Sequence, residues 1–221
     1  MTKNLQNIKG IIWDLDDTLY SVTPALHQSM RESAARAVVK MGYDINYEDA
    51  LALAIESQVT HRLTAKILVD KFGIEKRDLH LPFHAEMDHT VTQACPDLPL
   101  AFASNPQIKH VLMTHASREW AMRMLPHLGI ADYFEPEAVL GLEDLDFNHK
   151  HESDYVTKAC LEILGTKPEE TAFAEDRDWN LTFPHKMGLV TVLIDHPSQA
   201  VGTIAHVDYR FPRAADFLNT I

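Results

Sequence analysis

The chain has 221 residues, enough for one large domain or for a core with a smaller insert, and its 46% apolar and 24% charged residues exclude disordered and fibrous classes. With 20 basic and 32 acidic side chains the formal net charge is −12, which disfavours binding to nucleic-acid polymers or anionic membranes. We expect no signal peptide and no spanning helix, because the first ten residues are polar and no apolar stretch approaches ~18 residues. The two cysteines, Cys95 and Cys160, form neither a disulfide framework nor a metal spacing, which favours a cytoplasmic location.

The first predicted element is a short buried strand, residues 8–13, which ends in the acidic run Asp14-Leu15-Asp16-Asp17-Thr18. Short apolar runs bounded by polar turns are typical of strands that are buried on both faces. The same pattern predicts further strands at 111–113, 138–140, 171–174 and 189–194.

The interval from residue 21 to residue 102 has only helical patterns. Thr23 is expected to cap a helix that has Pro24 at its first position and apolar residues at three- and four-residue spacing up to Gly42. We therefore predict a helical cap domain at 21–102. Its basic side chains could meet an anionic substrate: Arg31, Arg36, Arg62 and Lys66.

Thirteen histidines are scattered through the chain, and no pair of them has a zinc-site spacing. His80 and His84 are four residues apart, but Pro82 between them argues against a helix there. We interpret the histidines as mostly surface or structural residues.

The later strands alternate with helices predicted at 118–128, 154–164 and 180–187, each followed by a glycine that favours a helix end. Such alternation predicts βαβ units and a parallel sheet. The expected fold is therefore α/β: a doubly wound, Rossmann-like core formed by 1–20 and 103–221, with the cap inserted after the first strand.

Acidic side chains follow two of these strands. Asp14 and Asp16 come after the first strand, and Glu175 and Asp176 end the fourth. In an open parallel sheet the carboxyl ends of the strands form the ligand site. Two carboxylates about 4 Å apart repel by roughly 4 kcal/mol at a dielectric constant near 20, so a cluster needs a cation or bound protons. Oxygen ligands suit Mg²⁺, and the sequence predicts a magnesium site here.

These segments resemble the motifs of the haloacid dehalogenase-like hydrolases. Residues 11–20, with Asp14, Asp16 and Thr18 in a D-x-D-x-T pattern, resemble the first motif, and residues 111–114 resemble the second. Residues 174–176 with Asn180 resemble the acidic fourth motif. The stretches 180–185 and 188–193 are similar to the pyrimidine 5′-nucleotidase-like branch.

The resemblance implies a Mg²⁺-dependent phosphatase that acts on a small phosphorylated metabolite, such as a nucleoside monophosphate, through an aspartyl-phosphate. Asp14 would be the nucleophile, and Asp16 would protonate the leaving oxygen and later deprotonate water. Thr18 would orient Asp16, and Thr114 would bind phosphoryl oxygens.

The resemblance also implies a metal site and a lysine. Asp14, the backbone carbonyl of Asp16, and Asp176 would hold Mg²⁺, with Glu175 acting through water.

The family's third motif is a lysine a few residues before an aromatic residue. Aligned on Tyr155 without a gap, His149 stands where lysine is expected, and a one-residue slip restores Lys150. We predict that Lys150 fills the position, because lysine is fully protonated near neutral pH. His115, directly after Thr114, is either a loop histidine or a substrate contact.

Three other functions fit parts of the pattern. A haloacid dehalogenase needs neither a second acid nor a metal, because a halide leaves without a proton; both features are present here. A catalytically weak or inactive binding protein of the same fold would explain the displaced lysine. Receiver-type signalling domains share the acids and the sheet, but they are shorter and carry no helical insert.

Overall fold

The structure is a computed structural model and describes residues 3–61, 63–195 and 203–221. The helices in these ranges are too short or too polar to cross a membrane.

A parallel β-sheet forms the core. Across the described residues it has six strands in the order β3-β2-β1-β4-β5-β6. The strands are β1 (Gly10–Trp13), β2 (Lys109–Met113), β3 (Val139–Leu140), β4 (Thr171–Glu175), β5 (Val190–Ile194) and β6 (Tyr209–Phe211). Every neighbouring pair is parallel. The α/β fold with a parallel Rossmann-like sheet is therefore confirmed, and β6 is an edge strand that the sequence pattern did not predict.

Helices cover both faces of this sheet. Successive side chains of a strand point to opposite faces, and all four residues of β1 are buried, so both faces are covered there. Ile12 belongs to the hydrophobic cluster that includes Val156 and Cys160 of α7. Trp13 stacks instead against Phe102 and Phe217, in α5 and α9. The helices of this part of the chain are α5 (Leu98–Ala103), α6 (Arg118–His127), α7 (Tyr155–Leu164), α8 (Thr182–Lys186) and α9 (Ala214–Leu218).

A second compact unit comprises residues 22–92, and the first comprises 1–21 with 93–221. The second unit contains α1 (Pro24–Lys40), α2 (Tyr47–His61), α3 (Lys66–Phe72) and α4 (Lys76–Ala85), which share a core of alanine, valine, leucine and isoleucine side chains. The first unit resumes at Gln93, whereas the sequence pattern placed this boundary after residue 102. Helix α5 belongs to the first unit because it packs against α9.

Pro82, which counted against a helix around His80 and His84, does not prevent one. Pro82 lies within α4, and both histidines are buried. His84 Nδ1 lies 2.7 Å from the backbone oxygen of His80, and the two rings pack edge to face. Burial of this face of α4 offsets the hydrogen bond that a proline removes from a helix.

The strand order brings the acidic loops together. β1 lies between β2 and β4, with Trp13 opposite Leu112 on one side and Ala174 on the other. The carboxyl ends of these three strands therefore meet at one edge of the sheet, where the order reverses direction.

Candidate active site

Asp14 follows β1 directly and is 6% exposed. Its backbone N–H still donates to Ala174 in β4, at 3.0 Å, and so the side chain starts from a fixed point of the sheet. Thr18 Oγ1 donates to Asp14 Oδ2 at 3.1 Å. The expected contact between Thr18 and Asp16 is not formed, because the turn after Asp16, with Asp17 at a φ of 63°, brings the hydroxyl to Asp14.

Lys150 lies beside Asp14. Its ammonium group is fully buried and donates to Asp14 Oδ1 and, at 3.1 Å, to Glu175 Oε1. Burial alone would lower the pKa of Lys150, but the negative charges of Asp14 and Glu175 raise it above its usual value. The lysine is therefore a permanent cation in the site.

The loop before Lys150 has an unusual backbone. Asp146 and Phe147 have φ values of 50° and 60°, the left-handed region that bulky residues rarely adopt. They lie four and three residues before Lys150, whose ammonium group reaches Asp14.

His115 holds the backbone of this loop. Its Nε2 accepts a hydrogen bond from the Lys150 N–H at 3.2 Å, and its ring packs edge to face on His149, 4.8 Å between centroids. Burial and the nearby Lys150 charge lower the pKa of His115 to about 2, so the ring is neutral and can accept. From the sequence, His115 was either a loop histidine or a substrate contact. The structure shows a third role, in which His115 supports the backbone of Lys150.

Asp14, Glu175 and Asp176 form an acidic cluster in which one carboxylate oxygen from each residue lies within 4.8 Å of the other two. Burial, reinforced by the neighbouring carboxylates, raises the pKa of Asp14 to about 7 and that of Asp176 to about 9. Lys150 is the cation that touches two of these groups, and it offsets only part of their charge. This donor set could therefore hold a metal ion.

Glu175 has several further partners. Its Oε2 accepts from the Arg177 N–H at 2.6 Å, and its Oε1 accepts from Asn180 Nδ2. Asn180 thus supports Glu175, which fits its place in the fourth motif.

Asp16 lies on the other side of the first loop. Its Oδ2 accepts from Thr114 Oγ1 at 3.3 Å, and its Oδ1 accepts from Trp120 Nε1 at 3.0 Å and from the Tyr20 hydroxyl. Burial raises the pKa of Asp16, and these hydrogen bonds offset part of the rise. No role was assigned to Tyr20 or Trp120 from the sequence. Trp120 was interpreted as a core residue because it lies on the apolar stripe of α6.

Three of the four basic side chains proposed to meet a substrate have partners inside the second unit, and Arg31 donates to the backbone oxygen of His27 at 3.1 Å. Arg36 pairs with Glu32 and Glu86, and Lys66 pairs with Asp70. Arg62 lies outside the described residues.

Comparison with known proteins places this arrangement in a family. The profile of the haloacid dehalogenase-like hydrolases matches residues 8–188, and so covers both compact units and the acidic motifs. The glyceraldehyde 3-phosphate phosphatase of Methanocaldococcus jannaschii is 26% identical over an alignment 208 positions long, gaps included, which covers 85% of this chain and 85% of that protein.

Solved structures show the same fold. A haloacid dehalogenase-like phosphatase from Thermococcus onnurineus aligns with a TM-score of 0.62 and 18% identity, covering 93% of this chain and 94% of the other. The L-2-haloacid dehalogenase of Xanthobacter autotrophicus, with chloropropionic acid covalently bound, aligns with a TM-score of 0.58 and 14% identity, covering 96% and 97%. At these identities the likeness extends to the fold alone.

Proposed function

Because the chain belongs to the haloacid dehalogenase-like hydrolases, we propose that it is a Mg²⁺-dependent phosphatase that hydrolyses a small phosphate monoester. The observation that carries the proposal is the position of Asp16. This second carboxyl group lies in the same loop as Asp14 and accepts hydrogen bonds from three donors. An ester oxygen needs a proton as it leaves, whereas a halide does not. A dehalogenase would have no use for this acid.

In the first half of the reaction an oxygen of Asp14 attacks phosphorus. The bond to the ester oxygen breaks, its electron pair stays on that oxygen, and Asp16 supplies the proton, so that alcohol and an aspartyl-phosphate are formed. Thr114 would donate to a phosphoryl oxygen, and Lys150 offsets the charge on Asp14 and the phosphoryl group.

In the second half water attacks the aspartyl-phosphate. Asp16, now ionised, takes a proton from that water, the bond between phosphorus and Asp14 breaks, and inorganic phosphate leaves. Both carboxyl groups thereby return to their starting states, and no other reactant is consumed.

The acidic cluster fits Mg²⁺. Asp14, Asp176 and the backbone carbonyl of Asp16 would hold the ion, with Glu175 acting through water. When bound, Mg²⁺ would neutralise these carboxylates and the phosphoryl oxygens. The raised pKa values of Asp14 and Asp176 support this assignment, because burial and then the neighbouring carboxylates disfavour their charged forms, and a bound cation would offset both effects.

The proposed substrate is a small phosphorylated metabolite. The archaeal relative acts on glyceraldehyde 3-phosphate by its name, which favours short phosphorylated aldehydes and sugars. The resemblance of residues 180–193 to the pyrimidine 5′-nucleotidase-like branch keeps nucleoside monophosphates among the substrates that we propose to test.

The first test measures phosphate release from triose, sugar and nucleoside phosphates with and without Mg²⁺. In the second test, a reaction with a phosphate ester radiolabelled at phosphorus is quenched in acid, and the label bound to the protein is located. We expect label on Asp14 and loss of activity by several orders of magnitude in Asp14→Asn. Asp17→Asn is the matched control, because it makes the same change in the same loop at a left-handed residue that asparagine tolerates.

Two results would contradict the proposal. Release of halide from 2-haloacids without phosphate release would identify a dehalogenase. A lack of turnover and of labelled protein on every phosphate ester would identify a binding protein of the same fold.

A further inference from the structure

Asp16 is held on one side by two residues outside the acidic motifs. The Tyr20 hydroxyl and the Trp120 indole N–H both donate to Oδ1, the indole at 3.0 Å. The other oxygen, Oδ2, accepts only the longer bond from Thr114 Oγ1, at 3.3 Å, among the hydrogen bonds of the described residues. The two oxygens of one carboxyl group thus have different surroundings.

The two donors come from different elements, the turn after Asp16 and helix α6. Tyr20 closes the turn that begins at Asp16, through a backbone bridge between these residues, and is 4% exposed. Trp120 lies in the first turn of α6, where its backbone N–H donates to Ser117 Oγ at 3.1 Å, and it is fully buried. The Arg123 guanidinium covers the indole ring at 5.4 Å.

The chemistry of the donors separates the two oxygens. An indole N–H can only donate, so a hydrogen on Oδ1 would point at the indole hydrogen. A threonine hydroxyl is a rotor that can turn from donor to acceptor, so Oδ2 can carry a hydrogen beside Thr114. The proton that Asp16 gives to the leaving oxygen must accordingly sit on Oδ2.

We propose that Tyr20 and Trp120 are positioning residues that hold Asp16 Oδ1 and thereby reserve Oδ2 for proton transfer to the leaving group. This inference rests on the proposed phosphatase function. The proton passes from Oδ2 to the ester oxygen as its bond to phosphorus breaks, and the resulting carboxylate keeps both donors on Oδ1. Neither residue needs to touch the substrate.

The test is the dependence of kcat/KM on the leaving group, measured with phenyl phosphate and 4-nitrophenyl phosphate, because kcat/KM reports formation of the aspartyl-phosphate and not the later attack of water, which is the same for both esters. Nitrophenolate needs little protonation, whereas phenolate needs more, so a misplaced acid slows this step mainly for the phenyl ester. We expect Trp120→Phe and Tyr20→Phe each to lower kcat/KM on phenyl phosphate about tenfold and on the nitrophenyl ester by less than about twofold.

Two control variants remove similar groups elsewhere. Trp13→Phe deletes an equally buried indole that donates to His110 at 3.1 Å, and Tyr209→Phe deletes a hydroxyl that donates to the backbone of Lys3. Each should change kcat/KM on the two esters by the same factor. Tyr20→Phe removes a single oxygen, so it tests the proposal even where Trp120→Phe does not fold.

The contact itself has a readout that does not require activity. In the ¹⁵N–¹H spectrum, Asp16→Ala should shift the indole signal of Trp120 and leave that of Trp13 in place. An unmoved Trp120 signal would overturn the proposal.

The kinetics separate this proposal from the function on which it rests. An inactive wild-type protein refutes the phosphatase function. If the wild type is active and Asp16→Asn depends on the leaving group, equal losses on both esters in Tyr20→Phe and Trp120→Phe refute the positioning role alone.

Discussion

Lys150 donates to Asp14 Oδ1 from a side chain that solvent does not reach. The contact joins residues that are 136 positions apart in the chain, and the same ammonium group also reaches Glu175. The structure thus brings Lys150 to Asp14, although an ungapped comparison with the family's third motif aligns His149 with the lysine. The left-handed residues Asp146 and Phe147 lie shortly before Lys150 in this loop.

The first prediction concerns Lys150 and His149. Lys150→Ala removes the buried cation beside Asp14 and should lower kcat at pH 7 at least about tenfold, because a preorganised charge at the reacting group is lost. His149→Ala should keep activity within a few-fold. Steady-state rates of both variants decide the assignment, and a larger loss in His149→Ala would reverse it.

The second prediction concerns His115 and acid. Its folded pKa, about 2, is below the model-peptide value of 6.5 because of burial and the Lys150 charge, so the unfolded chain binds a proton that the folded protein does not. This contribution to stability is complete above pH 6.5 and is lost as the pH falls toward 2.

His115→Gln should flatten that loss, since a glutamine oxygen can accept the Lys150 N–H and does not titrate. Urea unfolding at pH 7 and pH 5 measures the difference, with the exposed His61→Gln as the control. Identical pH dependence in wild type and His115→Gln would contradict the prediction.

The third prediction concerns metal and pH. The folded pKa values of Asp14 and Asp176, about 7 and about 9, exceed the unfolded value of 3.8, so the folded protein holds these protons more tightly. Without metal, this contribution to stability is present below pH 3.8 and is lost as the pH rises through 7 and 9.

Mg²⁺ should therefore raise Tm more at pH 8 than at pH 6, because fewer protons compete with the ion for these carboxylates at the higher pH. Calorimetry in EDTA and in Mg²⁺ tests this. Asp176→Asn should abolish most of the gain; an undiminished gain in that variant would place the ion elsewhere.

The fourth prediction concerns Gly141. A Cβ atom there would lie 2.2 Å from the Arg118 backbone nitrogen and 2.5 Å from Glu143 Oε2. Glu143 accepts the Arg118 N–H at 2.8 Å, at the start of the helix that carries Trp120. Gly141→Ala should therefore destabilise the protein by about 1–3 kcal/mol, as other overpacked substitutions do.

Chemical denaturation measures that loss. Gly42→Ala is the comparison, because Gly42 has a φ of 85° and nothing within 4 Å of an added Cβ, so only backbone strain of about 1 kcal/mol is expected. If Gly141→Ala lowers the free energy of unfolding no more than Gly42→Ala does, the backbone at Arg118 and the side chain of Glu143 can shift to accommodate the added Cβ, and the prediction is wrong.

Local patterns predicted most of the core. The apolar runs that became β1, β2, β4 and β5 are continuous and end in polar residues, so their limits were readable from the sequence. The strand β6 was missed because it has three half-buried residues with Arg210 in the middle. Pro82 concealed α4, since tertiary burial outweighed its local preference.

The candidate site residues that directly follow or end a strand could be predicted from the sequence. Asp14, Asp16, Glu175 and Asp176 follow strands, and the parallel sheet brings the two pairs together. Trp120 could not be assigned in this way, because its contact with Asp16 depends on the pairing of β1 with β2 and on the orientation of α6. Tyr20 was visible in the motif, but its hydroxyl contact depends on the turn at Asp17.

The position of β1 in the sheet also sets an order of events during synthesis. Gly10 pairs with Lys109 and Thr171, so this strand leaves the ribosome long before either neighbour exists. The unit at 22–92 is built of helices whose contacts are local, and local contacts form fastest. A nascent chain can therefore complete that unit while the Asp14 loop still has no sheet to hold it, and the acidic edge of the sheet is assembled only after residue 175 has been translated.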